Sequence, residues 1–411
     1  MCSTRDTRVA LQQYIASSII PHPTIMRQIP LELARAIIDE VTASKDLRAL
    51  RATCKWWHAE ATPYAFRTMI VGDTARSAMG LANVLQNAAL APHVREILYQ
   101  DPMADNEGGW VQHAMDIERD IPEDVFDALT AAFALAANAH SLSFVKLIFY
   151  PDYVEESWDD DSGPSAQLRV QRAILGGFAC AASAGLRLHT LVLLNLIAVH
   201  SPVFDEPTFA TLLAPLHVLR IDIISGYTEG NFPLDKFSEF WETSMTDRLL
   251  PPAGPEAPLE VLTIQSQEDV GLQPWFSLGD RMYPRLAELS VTHIMFDGLD
   301  GGVEEFIVRH AGTLRRLDIK NGKIGIEQGE EGPTQFWAAI WTRFRETLTE
   351  LQELVVGEKE GMASERGLIM GILIRGGGIL RSMRGRREMR GMSLRCRRLW
   401  MWSRRGGQRK P

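Results

Sequence analysis

The sequence predicts an α/β protein in which three short helices precede a longer series of repeated units, each containing one strand. Two observations indicate this fold. Apolar residues recur at helical spacing between residues 29 and 65, and a leucine-x-x-leucine-x-aliphatic pattern recurs between residues 94 and 356. With 411 residues, of which 45% are hydrophobic and 23% charged, the chain has the length for more than one unit and the composition of a globular protein.

The first predicted helix begins at about Ile29 and ends at about Val41. Pro30 lies near its first turn, where the missing N–H of proline costs no helical hydrogen bond. Leu33, Ile37 and Val41 follow one another at i, i+4 and i+8, so we expect them to form one apolar face of this helix.

Two further helices are predicted in the residues that follow. Ser44 is a suitable N-cap for the second helix, the third helix starts at about Lys55, and Pro63 marks a break or a new turn. The apolar stripes consist of Leu47, Leu50 and Cys54 in the second helix and of Trp57, Ala61 and Tyr64 in the third. Three short helices form a poor independent core, so we expect them to pack against a partner or a neighbouring unit.

These residues resemble the F-box family in their order and spacing. The matching segments are Ile29-Pro30-Leu31-Glu32-Leu33, then Lys45-Asp46-Leu47 with Leu50, and then Cys54-Lys55-Trp56-Trp57. The sequence departs from the family at Ile29, where leucine is more frequent, and at Thr53, where an aliphatic residue is usual. The resemblance implies that residues 25–68 dock on a Skp-type adaptor of a cullin-RING ubiquitin ligase. The adaptor-binding residues that it implies are Ile29, Pro30, Leu33, Ile37, Leu47, Leu50, Cys54 and Trp57.

The repeated pattern occupies most of the remaining chain. Its copies are Leu188/Leu191/Leu193, Leu216/Leu219/Ile221, Leu259/Leu262/Ile264, Leu286/Leu289/Val291, Leu314/Leu317/Ile319 and Leu351/Leu354/Val356, with looser copies at Val94/Ile97/Tyr99 and Leu142/Val145/Leu147. The last two apolar positions of each copy alternate as a strand requires. Successive copies are as little as 27 and 28 residues apart, within the roughly 20–29 residues of leucine-rich repeats.

We therefore predict an irregular leucine-rich-repeat-like α/β solenoid over residues 69–360. The longer intervals between copies need inserted loops or helices, and residues 123–138 and 335–351 have helical patterns. An ordinary α/β domain is the alternative.

Strand alternation predicts which surface of this solenoid binds a substrate. The aliphatic residues of the copies point into the core, so the residues between and beside them lie on the opposite, concave face. That face is expected to carry Thr190, Val192, Val218, Val261, Thr263 and Thr292, together with the residues that we assign to substrate binding, Arg220, Asp222, Glu288, Ser290, Arg316, Asp318 and Lys320. Its mixed polarity suits a protein partner better than a lipid or a nucleic acid.

Charge is distributed unevenly along the chain. Of the 43 basic and 52 acidic residues, 14 basic residues and one acidic residue lie after Glu365, which leaves 29 basic and 51 acidic residues, a net charge of −22, in the body. An acidic body does not favour nucleic-acid phosphates. Residues 1–24 are predicted as an N-terminal extension and residues 361–411 as a basic, disordered tail. An error in the gene model and an arginine-rich nucleic-acid-binding segment are the alternatives for the tail.

The sequence contains no motif of a familiar catalytic or metal site. GxGxxG, the P-loop, GxSxG and HExxH are absent, and the ten histidines are scattered. Cys2, Cys54, Cys180 and Cys396 are too far apart for a CxxC metal pair and do not form a secreted disulfide framework, which favours the cytoplasm or the nucleus. No apolar run reaches the ~20 residues that a membrane-spanning helix needs.

The leading hypothesis is a substrate-receptor subunit of an SCF-type ubiquitin ligase, with no catalytic residue, metal or cofactor of its own. The second is a repeat-based protein-binding scaffold without a ubiquitin-ligase role, in which the helices cap the solenoid. The third is an enzyme with an unrecognised site, which would show a deep pocket with clustered, strongly perturbed ionisable groups.

Overall fold

The computed structural model describes residues 30–41, 44–100, 121–150, 164–225, 234–271, 274–296, 302–324, 337–357, 370–375 and 378–381. Within these ranges the chain forms ten α-helices and twelve β-strands. The strands join in one sheet that is parallel except at its last two strands. The predicted α/β class is therefore confirmed.

Three α-helices open the described part of the chain. They are α1 (Leu31–Glu40), α2 (Ser44–Arg51) and α3 (Lys55–Ala65). The predicted apolar face of α1 is wrong by one position, because Ala34 and Ile38 are buried whereas Leu33 is exposed. The break predicted at Pro63 is also wrong. Pro63 lies in the last turn of α3, where it removes a single backbone hydrogen bond and the helix continues to Ala65.

The sheet follows the order of the sequence. Its parallel strands are β1 (Thr68–Val71), β2 (Glu96–Gln100), β3 (Phe144–Ile148), β4 (Thr190–Ile197), β5 (Val218–Ile224), β6 (Val261–Val270), β7 (Glu288–Phe296), β8 (Arg316–Lys320) and β10 (Glu353–Gly357). The short strand β9 (Lys323–Ile324) lies between β8 and β10 in the sequence and pairs with the end of β7. Each strand pairs with the strand that precedes it in this series, so the units stack in chain order.

Helices fill most of the returns between strands. They are α4 (Ala75–Gln86), α5 (Glu123–Ala134), α6 (Ala166–Ser183), α7 (Pro207–Leu213), α8 (Leu234–Glu239), α9 (Val303–Arg309) and α10 (Trp337–Thr347), and α8 continues as a π-helix over Phe240–Leu249. Neighbouring helices contact each other from α4 to α7, so they form a second layer. The helix predicted over residues 123–138 consists of α5 and a 3-10 turn, Leu135–Asn138. The one predicted over residues 335–351 is shorter, and Gln335 lies outside the described residues.

The repeated aliphatic residues form two continuous rows across the parallel strands. The first row consists of Ile97, Val145, Leu191, Leu219, Leu262, Leu289, Leu317 and Leu354, and each residue is in register with the next. The second row consists of Tyr99, Leu147, Leu193, Ile221, Ile264, Val291, Ile319 and Val356. All are buried except the two on β10, which are partly exposed. The predicted core positions therefore share one face of the sheet.

The core is continuous from the N-terminal helices to the last helix. A single cluster of buried apolar residues includes Ala34 of α1, Trp57 of α3, the two rows of the sheet and Ile340 of α10. Trp57, Ala61 and Ala65 are buried in it, and α3 contacts the 3-10 turn Ala91–His93 that precedes β2. The third of these helices, α3, therefore packs beside the beginning of the sheet.

Two of the described strands lie within the predicted basic tail. β11 (Met370–Arg375) pairs antiparallel with β10, and β12 (Gly378–Arg381) pairs antiparallel with β11. Residues 1–29 and 382–411 lie outside the described residues. The domain boundaries and the disorder of the tail stay predictions.

Candidate interaction surfaces

The residues assigned to substrate binding lie on the face of the sheet opposite the core. We call this surface the polar sheet face and define it by Arg220, Asp222, Glu288, Ser290, Arg316, Asp318 and Lys320. Glu288 is in register with Arg316, and Ser290 with Asp318, so the five residues on β7 and β8 are neighbours. Arg220 and Asp222 lie on β5, one strand further away across Thr263 and Gln265 of β6. The structure thus brings the seven positions to one surface.

The exposure of these side chains differs in a way that alternation alone does not predict. Arg220, Glu288 and Arg316 are exposed, while Asp222, Ser290 and Lys320 are partly buried. Asp318 is only 7% exposed, and Thr292, on the same face of β7, is completely buried. Val192, also predicted on this face, is buried as well. The polar sheet face therefore contains a closed region at β7 and β8 as well as an open, charged one.

Two cations of the polar sheet face, Arg316 and Lys320, are engaged by carboxylates of the same protein. Arg316 Nη1 donates to Glu353 Oε2 over 2.9 Å, and Lys320 Nζ lies 3.1 Å from Asp318 Oδ2. The Arg316–Glu353 pair is partly exposed to solvent, and pairs of this kind contribute little to stability, roughly 0–1 kcal/mol. The second carboxylate oxygen of Asp318, Oδ1, is buried and has no hydrogen-bond partner, and the same holds for Thr292 Oγ1. Two buried acceptors are therefore unsatisfied on this face.

A pair of stacked histidines borders the polar sheet face at the amino-terminal ends of its strands. His189 and His217 precede β4 and β5, and their ring centroids are 4.3 Å apart with an interplanar angle of 6°. His217 Nδ1 lies 3.1 Å from Oε1 of Glu260, which precedes β6. Sequence reasoning missed this group because it treated the histidines as scattered. The sequence does contain a signal for this group, because each histidine directly follows the first leucine of its copy, Leu188 or Leu216.

A second candidate surface is formed by the N-terminal helices. Pro30 is exposed, and Leu31 and Leu33 of α1 are 39% and 57% exposed although both are large and apolar. The other predicted adaptor-binding residues divide into two groups: Ile37, Leu50 and Cys54 are partly buried, and Leu47 and Trp57 are buried in the core. Ile29 lies outside the described residues. The accessible part of the predicted set is therefore the start of α1.

The described residues also line a cavity of about 400 Å³ on the helix side of the molecule. It lies between the 3-10 turn Pro202–Asp205, the end of the π-helix and the segment 250–253. Four of its five charged side chains form pairs: Arg248 Nε lies 3.3 Å from Asp205 Oδ1, and Arg281 Nη2 lies 3.9 Å from Asp247 Oδ1. The ionisable groups with shifted pKa values, Tyr283, His310 and Arg343, do not line it.

Two further searches cover only the described part of the chain. Within it, no group of three or more histidine, cysteine, aspartate or glutamate side chains has the geometry to hold a metal ion. None of the described helices combines the length and the apolar character that crossing a membrane requires.

Comparison with known proteins gives no family assignment. No family model matches the sequence, and no curated protein matches it either. The function is therefore argued from the sequence pattern and from the geometry of the described residues.

Proposed function

We propose that the chain is the substrate-receptor subunit of an SCF-type ubiquitin ligase. In this proposal α1 to α3 bind a Skp-type adaptor, and the polar sheet face binds a protein substrate. The observation that carries the proposal is the exposure of Leu31 and Leu33 beside Pro30, within the segment that resembles the F-box family. Two large apolar side chains exposed in the first turn of one short helix favour a protein partner.

The repeated units support a leucine-rich-repeat-like solenoid as the substrate-binding part. Each unit contributes one strand to a sheet built in chain order, and the same two apolar positions are buried in every strand from β2 to β8. In such an architecture each unit contacts mainly its neighbours, and the row of strands offers a long surface to a partner. The mixed charges along the polar sheet face suit a protein surface.

The proposed role involves no bond-making by this chain. A receptor holds a substrate lysine close to a ubiquitin carrier bound elsewhere in the ligase, and so raises the effective concentration of the reacting groups. The catalytic residues belong to other subunits. In this role the protein acts in the cytoplasm or the nucleus, where cullin-RING ligases act on their substrates.

The test is adaptor capture by a double variant at the start of α1. Pro30→Ala with Leu33→Ala is expected to weaken binding of a recombinant Skp-type adaptor, measured by isothermal titration calorimetry. The expected loss is ~2 kcal/mol or more, about thirtyfold in Kd, because truncating central interface side chains removes their packing against the partner. The substitutions should leave the fold intact, because both side chains are exposed.

The matched control is Met79→Ala on α4. Met79 is a large apolar residue with a similar exposed fraction, 55%, but it lies outside the three helices. Adaptor binding should be unchanged in this variant. Equal adaptor affinity in the wild type and in the folded double variant would contradict the proposal, as would absence of adaptor binding by the wild type.

A protein-binding scaffold without a ligase role is the second candidate. The observation that favours it is the continuity of the core from Trp57 to β1 and β2, since a terminal unit that caps a solenoid needs such packing. A scaffold would retain its protein partners in an affinity purification while no adaptor or cullin copurifies. The ligase proposal requires both classes of protein in the same purification.

A further inference from the structure

We propose that the sheet surface opposite the core binds, across β1 to β5, a segment of the protein substrate that carries two carboxylate side chains and one large apolar side chain at intervals of three residues. This inference deepens the proposed function and rests on it in taking the ligand to be part of a protein substrate. The residues that carry it form a line across five strands, which we call the outer row: Ile70, Leu98, Lys146, Val192 and Arg220.

The register of the strands aligns the outer row. Each member is in register with the next one on the neighbouring parallel strand. Each directly follows a residue of the first core row or, on β1, the buried Met69, so all five point away from the core. Neighbouring strands are about 4.8 Å apart, so the backbone of Lys146 lies about 10 Å from that of Arg220 on one side and about 10 Å from that of Ile70 on the other.

The side chains of the outer row are accessible except at its middle. Ile70 is 62% exposed although it is large and apolar, and Arg220 is exposed as well. Leu98 and Lys146 are partly buried. Val192, between the two cations, is only 8% exposed and offers little surface to a ligand. A ligand that lies along the row therefore meets an apolar end at β1 and one cation on either side of Val192.

Lys146 lies within an apolar surface. Phe144 and Ile148 precede and follow it by two residues on β3, and both are partly exposed on the same face. Ile148 is in register with Leu194 of β4, which is partly exposed as well. Partly buried ion pairs are screened by salt less than open ones. Lys146 is therefore the cation at which a carboxylate of the ligand gains most.

Both cations of the outer row are available to a ligand. Within the described part of the chain, neither Lys146 nor Arg220 has a hydrogen bond or an ion pair. The cations on β8, Arg316 and Lys320, are paired with carboxylates of the protein. The outer row thus differs from β8 in carrying positive charge that no described carboxylate pairs with.

The spacing of the two cations selects the ligand. Lysine and arginine form charge-assisted hydrogen bonds with carboxylates. A phosphate group gains most from several cations at one point, whereas Val192 separates Lys146 from Arg220. A chain in the polyproline II conformation has three residues per turn and advances about 3.1 Å per residue, so side chains three residues apart face the same way about 9 Å apart. Two carboxylates at this interval reach the two cations, and an apolar side chain three residues further reaches Ile70.

Glu96 and Asp222 are carboxylates close to the outer row. Glu96 accepts from Thr68 Oγ1 over 2.7 Å and lies 3.5 Å from Arg67 Nη2, so it is already engaged. Asp222 follows Arg220 by two residues on the same face. Residues 1–365 as a whole carry a net charge of −22, which repels an acidic ligand at long range. At about 0.15 M salt, charges are screened beyond about 8 Å, so contacts within the row decide the binding.

The test is a direct binding measurement with the purified full chain and fluorescein-labelled heptapeptides, followed by fluorescence anisotropy at about 0.15 M salt. The probe is Glu-Pro-Pro-Glu-Pro-Pro-Leu, in which proline favours the polyproline II conformation. One comparison peptide has glutamine in place of both glutamates, a second has lysine there, and a third has serine in place of leucine. A fourth, Glu-Pro-Glu-Pro-Pro-Pro-Leu, has the composition of the probe with the wrong interval.

The probe is expected to bind about tenfold more tightly than the glutamine and lysine peptides, because two ion pairs are lost in these. It should bind about threefold more tightly than the serine peptide, which lacks the apolar contact. The peptide with the wrong interval should also bind about threefold more weakly, since one of its glutamates does not reach a cation.

Substitutions in the outer row should weaken binding of the probe according to the contact that they remove. Lys146→Gln and Arg220→Gln should each weaken it about threefold, and the double variant about tenfold, since the effects of distant ion pairs add. Ile70→Ala should weaken binding of the probe about threefold and leave binding of the serine peptide unchanged, because its contact is with the leucine.

The matched controls are Arg187→Gln and Met79→Ala. Arg187 is an exposed cation three residues before β4, and Met79 is 55% exposed on α4, so both lie outside the sheet. Both variants should keep the wild-type affinity for the probe. Melting followed by circular dichroism should show the same transition in Lys146→Gln and Arg220→Gln as in the wild type, because neither side chain has a described partner to lose.

Four results would overturn the proposal. They are absence of probe binding by the wild type, equal affinity for the probe and the lysine peptide or the peptide with the wrong interval, equal losses in Arg187→Gln and Arg220→Gln, and a folded double variant with wild-type affinity. Adaptor capture depends on α1 and is measured separately. Loss of adaptor binding with retained probe binding rejects the ligase role and leaves the peptide site in place, and the converse result rejects the peptide site alone.

Discussion

His310 is a buried histidine whose two ring nitrogens have opposite roles. Its Nδ1 donates to the carbonyl oxygen of Phe306 over 2.7 Å, and its Nε2 accepts from the backbone N–H of Tyr283 over 3.0 Å. These partners require the neutral ring with the proton on Nδ1. Burial lowers the pKa of His310 from its ordinary value of 6.5, and the hydrogen bond to Phe306 opposes this only in part. His310 is therefore a structural group that resists protonation.

This histidine should make the stability of the protein depend on pH. Its pKa is lower in the folded state than in the unfolded state, so between the two values only the unfolded chain binds the proton. The contribution of the neutral ring to the free energy of unfolding is fully present above pH 6.5. It is lost as the pH falls from 6.5 toward the lower pKa of His310 in the folded state. Urea denaturation at pH 7.5 and at pH 5 should show a larger loss for the wild type than for His310→Gln.

The control for this measurement is His140→Gln, because His140 is exposed. This variant should lose as much stability on acidification as the wild type. A wild type whose pH dependence equals that of His310→Gln would contradict the assignment of the neutral ring.

Three residues adopt a left-handed backbone conformation, two within strands and one directly after a strand. They are Asn195, His293 and Asn321, with φ values of 58°, 59° and 50°. Each lies two residues after the second core position of its repeat, and asparagine and histidine tolerate this conformation better than most residues. Their side chains tie neighbouring units together: Asn195 Nδ2 donates to the carbonyl oxygen of Phe149 over 2.9 Å, and Asn321 Nδ2 lies 2.8 Å from His293 Nε2.

At the scale of the elements, helices α5 and α6 pack closely against each other at Gly177. A Cβ atom at Gly177 of α6 would lie 2.7 Å from Phe133 Cβ and 2.7 Å from the carbonyl oxygen of Thr130. At the preceding residue, Gly176, it would lie 3.7 Å from Val203 Cγ2, an ordinary contact. The two neighbouring glycines therefore differ in what they allow.

Gly177→Ala is expected to destabilise the protein by roughly 1–3 kcal/mol, because the added methyl group forces the two helices apart. Gly176→Ala is the matched control. It should stabilise the protein by up to about 1 kcal/mol, since alanine is the better helix former and the space is free. Urea denaturation of both variants measures the difference. Equal effects of the two substitutions would show that close packing does not govern this helix pair.

At the scale of the whole molecule, one core joins the N-terminal helices to the sheet. Trp57 is buried in this core, and the neighbouring Trp56 is only partly buried, with the two rings 4.7 Å apart. If the core unfolds as one unit, a destabilising substitution at Trp57 also lowers the stability of the sheet. If the three helices form an independent module, the stability of the sheet is unchanged.

Trp57→Ala is therefore expected to lower the main thermal transition of the full chain, with a cost of about 3–5 kcal/mol for a buried tryptophan. Trp56→Ala, the matched control, should cost less because its side chain is already partly exposed. Differential scanning calorimetry measures both. A separate low-temperature transition in Trp57→Ala, with the main transition unmoved, would contradict a shared core.

The sequence by itself determined the α/β class, the position of the three N-terminal helices and the two apolar rows of the sheet. These features depend on local periodicity: residues such as Leu191 and Leu193 alternate within one strand, and the same spacing recurs in each copy. The seven polar positions opposite the core follow from the same alternation.

Only the tertiary structure decided which of these side chains are accessible. Leu33 is exposed and Ile38 buried because the position of α3 against α1 selects the buried face, and two apolar faces one position apart are nearly equivalent in the sequence. The stacking of His189 on His217 and the burial of Asp318 beside Thr292 depend on the register of strands that lie 28 or more residues apart in the repeat. The spacing of residues within one strand carries no information about contacts between different strands. These contacts are therefore determined by the packing of one unit against the next.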